Sequence, residues 1–592
     1  MTPDRIAVIG LGFVGLTSAV VFADLGAKVY GVNRNIQKNK AIQMGDPGFF
    51  EPNLTPLLKK VLKKGSLTAT TDLALAVKKS CIIFICVNTP SSESGAIDLS
   101  YVRDVALDIG KAVKPSDGYK IIVVKSTVVP GTTEKVVRPI LAKAAGKRSR
   151  KELGVAANPE FLREGSAVYD SYHPDRIVIG GDDSKAISFL EKFYEKMYPK
   201  NTPPIIKAST ATGEMIKYAS NAFLATKISY INTLANIATR IQGVDIEVVA
   251  NAMGLDHRIG KLFLKAGPGY GGSCFPKDVK ALIGFGRDIG YRANVLESVD
   301  RLNERQPFEV LRLAQNLVGP INNKHFSILG LAFKKDTDDI RSAVSVKIIE
   351  YLLSEGAKVT VYDPLSMNNV RSKFGSKIEY GDTPQKCLKD SDCCLVLTEW
   401  DIFRKLKPKD FIKHMRNPAV VDARRIFNPE DFIGKTMFSA IGLGSTSEDV
   451  EEVRKTRSET WENPALAVNA IVKTGKDELV IVKRSNHPFQ DYWSLPGGFV
   501  EYGETVEQSL KREVKEETGL KTNPGKIVGV YSDPKRNPEK HVISILMETK
   551  LVSGVLRKGS SEISDVKTVS KKSLPKKMAF DHLKMLKDYL RK

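Results

Sequence analysis

The sequence predicts an α/β protein with two doubly wound domains, a long helical connector between them and a separate C-terminal α/β unit. The chain has 592 residues, whereas one domain usually has about 100 to 200, so several domains are expected. A strand–helix–strand pattern covers residues 5–33, and the same pattern recurs at residues 326–363. A polar stretch at 445–460 precedes a further run of apolar segments, which predicts a linker and another domain.

The first pattern contains a glycine-rich turn. Gly10, Gly12 and Gly15 stand between the apolar run Ile6–Ile9 and a helical stretch that reaches about Leu25. Glycines at this spacing permit a tight turn, the approach of backbone N–H groups to a pyrophosphate, and close packing of helix on strand. We therefore predict a Rossmann-like domain that binds a dinucleotide.

The end of the second strand bears on the choice of cofactor. Domains of this type that bind NAD usually carry an acidic residue there for the adenosine ribose, but this chain has Asn33 and Arg34. An amide can still bond the ribose, whereas the negative charge that repels the 2′-phosphate of NADP is missing. We predict NAD and keep NADP as the alternative, because Arg34 can attract that phosphate.

Polar turns follow two further predicted strands, at 81–87 and 121–125. Asn88-Thr89-Pro90 and Ser126-Thr127 would lie at the carboxyl edge of the sheet, where ligands bind in such folds. Residues 205–257 then carry apolar residues at helical spacing with no strand-like interruption, which predicts the helical connector.

A single cysteine follows a glycine-rich loop. The loop begins at Gly267 and leads to Cys274, with Lys277 and Asp278 directly behind it. A positioned thiolate nucleophile needs close backbone approach to its ligand and charged neighbours. A structural turn with an inert thiol is the alternative. The remaining cysteines lie in or beside apolar stretches and are expected to be buried small hydrophobic residues.

Six motifs, in this order, resemble those of the UDP-glucose/GDP-mannose dehydrogenase family. They are Gly10–Gly15, Ser126–Gly131, Asn158–Gly165, Lys217–Asn221, Gly271–Asp278 and Phe333–Arg341. The residues around Cys274 look most like the UDP-glucose branch. The resemblance implies that UDP-glucose is oxidised to UDP-glucuronate with two NAD, through a thiohemiacetal and a thioester on the cysteine. Another UDP-hexose is the alternative substrate.

The resemblance also implies the catalytic groups. Cys274 is the nucleophile, Lys217 and Asn221 stabilise the oxyanion at C6, and Glu160 and Asp278 handle protons and water. Thr127 is expected near the reacting centre.

The binding groups follow from the same resemblance. The cofactor is assigned to Gly10, Gly12, Phe13, Val14, Gly15, Asn33, Thr89, Thr127 and Arg341. The sugar nucleotide is assigned to Glu160, Phe161, Leu162, Glu164, Lys217, Asn221, Arg258, Phe263, Gly271, Phe333, Lys334 and Arg424. Arg425 is the alternative to Arg424. Arg258 matches an arginine that the family donates across a dimer interface, so a homodimer or a higher homo-oligomer is implied.

The C-terminal region carries a second motif. Residues 498–520 reproduce without a departure the Nudix box, Gly-x5-Glu-x7-Arg-Glu-U-x-Glu-Glu-x-Gly-U, where U is apolar. On a helix Glu513, Glu516 and Glu517 fall at i, i+3 and i+4, so their carboxylates share one face and can bind hard divalent cations.

The resemblance to Nudix hydrolases implies a metal site and a reaction. Mg2+ or Mn2+ would be held by the three glutamates and the Gly498 carbonyl, and Arg512 would pair with Glu504. The implied reaction is hydrolysis of a nucleoside diphosphate linked to another group. A noncatalytic module that senses a nucleotide is the alternative.

The predicted domains are 1–203 for NAD binding, 204–317 for a central helical and dimerisation domain, 318–444 for UDP-sugar binding, 445–463 for the linker, and 464–592 for an α/β/α Nudix domain. A lysine-rich helix is expected from about Lys571. The net charge of +22 comes from scattered basic residues, which argues against nucleic-acid binding. No apolar run of about 18 residues occurs, and no signal-peptide pattern opens the chain, so we expect a cytoplasmic protein without a membrane span.

Overall fold

The computed structural model describes residues 4–91, 95–149, 153–444, 464–475, 477–501, 503–538, 541–559 and 562–591. The chain divides into an N-terminal unit, Met1–Glu451, and a C-terminal unit, Glu452–Lys592. The predicted linker, 445–463, lies outside the described residues, and the predicted domain boundaries stay predictions.

An eight-stranded sheet opens the N-terminal unit. Its strands are β1 Arg5–Ile9, β2 Lys28–Val32, β3 Leu67–Thr70, β4 Ile82–Ile85, β5 Lys120–Val124, β6 Leu153–Ala157, β7 Ile177–Gly180 and β8 Ile205–Ala208. They lie in the order β3-β2-β1-β4-β5-β6-β7-β8, and every pair is parallel except β6 with β7. The helices are α1 Phe13–Asp24, α2 Ile36–Gln43, α3 Leu54–Lys63, α4 Leu73–Lys79, α5 Ser100–Ala112, α6 Arg138–Ser149, α7 Ala167–Tyr172 and α8 Ser184–Met197.

Both faces of this sheet are covered. Ile6 and Val8 of β1 lie in one apolar core, while Ala7 and Ile9 lie in another. Successive side chains of a strand point to opposite faces, and strands covered on both faces are apolar throughout. The strand–turn–helix predicted from the glycine pattern is therefore confirmed.

Four helices form the connector: α9 Thr210–Ala238, α10 Ile246–Leu255, α11 Phe275–Asp288 and α12 Asn294–Val318. The helical prediction was wrong for its first residues, because Ile205–Ala208 pairs with β7 and completes the edge of the first sheet. Ser209 then caps α9, and its side chain accepts a hydrogen bond from the Thr212 N–H.

A second parallel sheet completes the N-terminal unit. It is formed by β9 His325–Leu329, β10 Lys358–Tyr362, β11 Glu379–Tyr380, β12 Cys393–Val396, β13 Ala419–Asp422 and β14 Met437–Ala440, in the order β11-β10-β9-β12-β13-β14. The helices are α13 Val344–Ser354, α14 Met367–Phe374, α15 Pro384–Leu388, α16 Asp401–Arg404, α17 Pro408–His414 and α18 Pro429–Phe432.

In the described residues of the C-terminal unit there are two small sheets and two α-helices. Its strands are β15 Ala465–Val472, β16 Glu478–Arg484, β17 Trp493–Ser494, β18 Gly497–Phe499, β19 Leu520–Tyr531, β20 Val542–Gly554 and β21 Ile563–Ser570. They form the sheets β18-β15-β20-β19 and β17-β16-β21. The helices are α19 Val506–Thr518 and α20 His582–Arg591.

The last helix begins later than the sequence predicts. It starts at His582 rather than near Lys571. Pro575 explains part of the difference, because a proline disfavours helical backbone in the residue before it. Where the chain is described, none of the helices combines the length and apolar character needed to cross a bilayer.

Candidate functional site

A cavity of about 980 Å³ lies in the N-terminal unit. Its walls come from the loops that follow β6, β9 and β13 at the carboxyl edges of both sheets, from α9, and from the glycine-rich loop before α11. The volume is at the upper end of what small-molecule sites usually enclose, about 300 to 1,000 Å³.

Four of the predicted catalytic residues line this cavity, namely Glu160, Lys217, Asn221 and Cys274, and Asp278 bonds one of them. Lys217 and Asn221 lie four residues apart on α9, so they share one face of the helix. The Lys217 Nζ is 3.0 Å from Glu160 Oε1, and Asn221 Nδ2 donates to Asp278 Oδ2 at 2.6 Å. Cys274 stands at the N-cap of α11 and lines the same wall.

The charge of Lys217 is retained despite its burial. Burial alone would lower the pKa of the ammonium, but the charges of Glu160 and Asp278, and that of Cys274 when it ionises, outweigh burial and raise the pKa. Only 4% of this side chain is exposed. A buried ammonium beside the thiol is suited to stabilise negative charge on an oxygen.

The Cys274 thiol is protonated at rest. Burial raises its pKa to about 11 and Glu160 adds to the increase, while Lys217 and a hydrogen bond with Ser273 oppose it. Because the thiolate is the reactive form, the proton must leave as the sulfur attacks.

Thr127 lies beyond the carboxyl end of β5, and its carbonyl accepts from Thr89 Oγ1 at 2.8 Å. It is half-buried and is not among the described residues that line the cavity. The loop that continues from it is held by Glu214 of α9, which accepts from the Gly131 N–H at 2.5 Å and the Thr133 N–H at 2.7 Å.

The glycine turn has the close contacts that its sequence predicts. Gly10 has a φ of +96°, and a Cβ on Gly15 would lie 1.8 Å from the Gly10 carbonyl oxygen. Phe13 and Val14 open α1 directly after Gly12. The backbone N–H groups at the start of a helix suit a dinucleotide pyrophosphate, so these residues fit an NAD-type cofactor.

Asn33 and Arg34, at the end of β2, both bond neighbouring protein groups. Asn33 Oδ1 accepts from the Asn35 N–H at 2.9 Å. Arg34 reaches two carboxylates of α5, Asp108 at 2.8 Å and Asp104 at 3.4 Å. Its positive charge therefore faces two acids.

Arg341, which is predicted to bind the cofactor, pairs with Glu164, a residue that lines the cavity. Its guanidinium is 2.7 Å from Asp339 and 3.4 Å from Glu164. Burial raises the pKa of Glu164 to about 7, and the neighbouring charge of Asp339 contributes.

Most residues predicted for the sugar nucleotide line the cavity. They are Glu160, Phe161, Leu162, Glu164, Lys217, Asn221, Phe263, Gly271, Phe333, Lys334 and Arg424. Arg258 lies elsewhere: its side chain is 78% exposed and pairs with Asp256. Arg425 has a φ of +52° and bonds Asp245, so Arg424 is the arginine of this pair that faces the cavity.

Sequence reasoning missed several charged residues that line the cavity, Lys125 and Glu399 among them. Lys125 is buried and donates to Asn158 Oδ1 at 3.1 Å, and burial lowers its pKa. Glu399 lies 3.4 Å from Arg424. Both follow strands of the sheets, β5 and β12, at the edge where ligands bind, and that position was the available signal.

The arginine and the three metal-binding glutamates predicted from the C-terminal motif lie on one helix, α19. Thr505 and Gln508 form a capping box at the start of α19, and Gly519 ends it in a left-handed conformation, with φ at +73°. Arg512 bonds Glu504 through Nε at 2.7 Å and Nη2 at 2.8 Å, which is the predicted pair.

The three glutamates of the motif have different surroundings. Arg512 Nη1 contacts Glu513 at 2.7 Å and Glu516 at 3.5 Å. Glu517 is buried and accepts from the Gly497 N–H at 2.9 Å. Burial raises its pKa to about 8, and the nearby charges of Glu513 and Glu562 contribute. Sequence reasoning missed Glu562.

In this conformation, no three Asp, Glu, His or Cys side chains of the described residues converge closely enough to hold a metal ion. Arg512 accounts for part of this, since it holds Glu513 and Glu516. The donor set nevertheless fits a hard divalent cation: a buried carboxylate with a raised pKa, two more acids on the same helix, and oxygen atoms as the ligands.

The chain matches models of two known families. Residues 4–198 match the NAD binding domain of the UDP-glucose/GDP-mannose dehydrogenase family, 211–305 its central domain, and 327–429 its UDP binding domain. Residues 463–589 match the NUDIX domain.

Individual relatives cover the N-terminal part of the chain. The UDP-glucose 6-dehydrogenase TuaD of Bacillus subtilis is 40% identical over 427 residues, 72% of this chain and 90% of the relative. The UDP-glucose 6-dehydrogenase AglM of Haloferax volcanii is 40% identical over 423 residues, 71% of this chain and 97% of the relative. A solved UDP-glucose dehydrogenase from Pyrobaculum islandicum is 37% identical, with a TM-score of 0.68, and the match covers 74% of this chain and 97% of that one.

The α/β fold class, the family resemblance and the C-terminal motif are thus confirmed. The chain belongs to the UDP-glucose/GDP-mannose dehydrogenase family and carries a NUDIX domain after the dehydrogenase domains.

Proposed function

We propose that the dehydrogenase domains oxidise UDP-glucose to UDP-glucuronate with two NAD. The observation that carries the proposal is the juxtaposition of Cys274 with Lys217 and Asn221 in one cavity, where a nucleophile and two donors face the same space. The relatives named above as UDP-glucose 6-dehydrogenases support this substrate over another UDP-hexose.

Each catalytic and binding residue of the cavity has its own role in the proposed reaction. NAD held at the glycine turn would supply the acceptor for the hydride that leaves C6 of the sugar in each of the two oxidations. Cys274 attacks the aldehyde carbon, and the electron pair of the carbonyl moves onto oxygen beside Lys217 and Asn221. After the second oxidation, Glu160 and Asp278 orient the water that releases the acid from the thioester. Lys334 and Arg424 bind the nucleotide phosphates.

The cofactor assignment rests on the glycine turn and on Arg34. The backbone at Gly10–Gly15 suits the pyrophosphate that NAD and NADP share. Arg34 is engaged by Asp104 and Asp108, and their negative charges favour NAD over a cofactor with a 2′-phosphate.

A homodimer or higher homo-oligomer is proposed from the exposed face of α9. Phe223, Tyr230 and Ile237 are 65%, 52% and 52% exposed and lie seven residues apart, so they form one apolar stripe along the helix. A second copy would cover this stripe, because exposed apolar rows of this kind mark interaction surfaces. Arg258, which lies outside its own cavity, is then available to the site of the partner.

We further propose that the NUDIX domain hydrolyses a nucleoside diphosphate derivative with Mg2+ or Mn2+. Glu513, Glu516, Glu517 and the Gly498 carbonyl would hold the metal, which activates water and neutralises charge on the diphosphate. The buried, proton-retaining carboxylate of Glu517 supports metal binding over a purely structural acidic helix. The noncatalytic, nucleotide-sensing module remains the alternative function.

One assay tests both activities. The purified full-length chain is incubated with UDP-glucose and NAD, with and without Mg2+, while NADH absorbance is followed and the sugar nucleotides are separated. We expect two NADH for each UDP-glucuronate, and no UDP-glucuronate from Cys274→Ala. Net conversion to the acid by Cys274→Ala would reject the covalent route.

Separate incubations of the same protein identify the NUDIX substrate. UDP-glucuronate, NADH and ADP-ribose are each offered with Mg2+, and loss of one of them identifies the substrate. If none is hydrolysed, action on the dehydrogenase product or on its cofactor is excluded.

A further inference from the structure

We propose that Ser273 and Glu164 form a proton relay that removes the thiol proton of Cys274 during nucleophilic attack. The inference rests on the proposed role of the cysteine. Ser273 Oγ donates to Glu164 Oε1 at 2.9 Å and lies 3.6 Å from Cys274 Sγ. When the hydroxyl hydrogen is directed to the carboxylate, the S–H group donates to Ser273 Oγ, and this is the arrangement that the relay uses.

The high pKa of the Cys274 thiol is the reason that a relay is needed. With a pKa of about 11, the thiol ionises to on the order of one part in ten thousand at pH 7. Lys217 opposes the high pKa, but its ammonium is already paired with Glu160. The thiolate therefore has to form as the bond to carbon forms, and a base has to receive the proton.

The two other carboxylates that act on the thiol are engaged by other donors. Glu160 contacts Lys217 at 3.0 Å and accepts from the Leu162 N–H at 2.5 Å. Asp278 accepts from Asn221 and from Lys277, each at 2.6 Å. Among the described residues, no hydrogen-bonded hydroxyl group joins either carboxylate to the sulfur.

Glu164 is suited to accept a proton near neutral pH. A general base is most effective at a pH near its own pKa, and the pKa of Glu164 is about 7. The groups that face it are Asp339, which raises the pKa, and Arg341, which lowers it. Lys334 is a further charge in its surroundings.

The step balances without a change in oxidation state. The S–H proton moves to Ser273 Oγ while the hydroxyl hydrogen moves to Glu164. The sulfur electron pair forms the C–S bond to the aldehyde, and the π pair of the carbonyl moves onto oxygen, which Lys217 and Asn221 stabilise. Glu164 then returns its proton to solvent before the next cycle.

The test isolates the thiol-dependent step. The 6-aldehyde of UDP-glucose is supplied with NAD, and NADH formation is measured from pH 5.5 to 9.5. We expect the wild-type rate to rise through an inflection near pH 7. Ser273→Ala is expected to lose this inflection and to fall roughly 100-fold at pH 7, a typical effect of removing general base catalysis. Ser273→Thr keeps the hydroxyl and should restore both.

Two further measurements separate a relay from a structural role. In a single turnover of UDP-glucose, the first hydride transfer should stay within about threefold of wild type in Ser273→Ala, because the thiol takes no part in it. Glu164→Gln should lose the same inflection near pH 7. An inflection retained in Ser273→Ala, or an equal loss in both oxidations, would show that the relay is wrong.

Alkylation of the cysteine tests the relay without turnover. Iodoacetamide labelling of Cys274, followed by mass spectrometry at pH 7, should be about tenfold slower in Ser273→Ala than in Ser273→Thr. Equal labelling rates would overturn the relay. If the wild-type protein failed to oxidise the aldehyde, the proposed function would be wrong, and the labelling comparison would still decide the relay.

Discussion

The pairing of Arg34 with two carboxylates predicts how the dehydrogenase chooses its cofactor. Asp104→Asn/Asp108→Asn releases the guanidinium and removes two negative charges near the adenosine ribose. The ion pairs, at 2.8 and 3.4 Å, have side chains that are 41% to 61% exposed. Exposed pairs of this kind contribute about 0.2 to 1 kcal/mol each. Two pairs then amount to about 0.4 to 2 kcal/mol, which corresponds to roughly a 2- to 30-fold gain for NADP.

The measurement is the ratio of kcat/KM for NADP to that for NAD, with UDP-glucose saturating. We expect the ratio to rise in the double variant and the gain to shrink at high ionic strength, since salt screens exposed charges. Arg34→Ala added to the double variant is the matched control, and it should remove the gain. An unchanged ratio in the double variant would refute the reasoning. A gain that survives in the triple variant would show that repulsion by the acids alone sets the preference.

Three other predictions concern the remaining charged groups. Lys217→Met should lower kcat roughly 10²- to 10³-fold in the NADH assay, because the oxyanion loses a donor. The thermal midpoint should fall as well, since Glu160 is left buried without its cation. Glu516→Gln should abolish Mg2+-dependent nucleotide loss on chromatography and leave the dehydrogenase rate unchanged, whereas a sensing module would keep its effect on the dehydrogenase. Because the pKa of Glu517 is raised to about 8 in the fold, the metal-free protein holds a proton there that the unfolded chain releases above about pH 4.5. The free energy of unfolding of the NUDIX domain should therefore fall by an amount on the order of a few kcal/mol between pH 5 and 8. In calorimetry, the midpoint temperature of its transition should fall over the same pH range. Glu517→Gln should flatten this dependence, and a parallel decline in that variant would contradict the assignment.

The sequence predicted the elements whose structure depends on residues that are close together in the chain. The apolar runs of β1, β4 and β5 are typical of strands buried on both faces, and the spacing of Gly10 and Gly15 follows from backbone contacts within one turn. The i, i+4 placement of Lys217 and Asn221 likewise follows from helical geometry.

Non-local contacts account for what the sequence did not reveal. The strand Ile205–Ala208 is set by its pairing with β7 and not by its own pattern. Glu164 and Ser273 bond across 109 positions of the chain. The sequence alone does not show which of Arg424 and Arg425 faces the cavity. The structure distinguishes them, because Arg425 has a left-handed backbone and bonds Asp245.

The high pKa of Cys274 has a consequence for the lifetime of the protein under oxidative stress. Peroxides attack thiolates much faster than thiols, and repeated attack leads to sulfinic and sulfonic acids that are not readily restored. A sulfur that ionises only while an aldehyde is in reach is protected during the idle part of each cycle. The other cysteines are buried. We therefore expect hydrogen peroxide to inactivate the dehydrogenase mainly while it is working, so that damage accumulates with the number of turnovers and not with age.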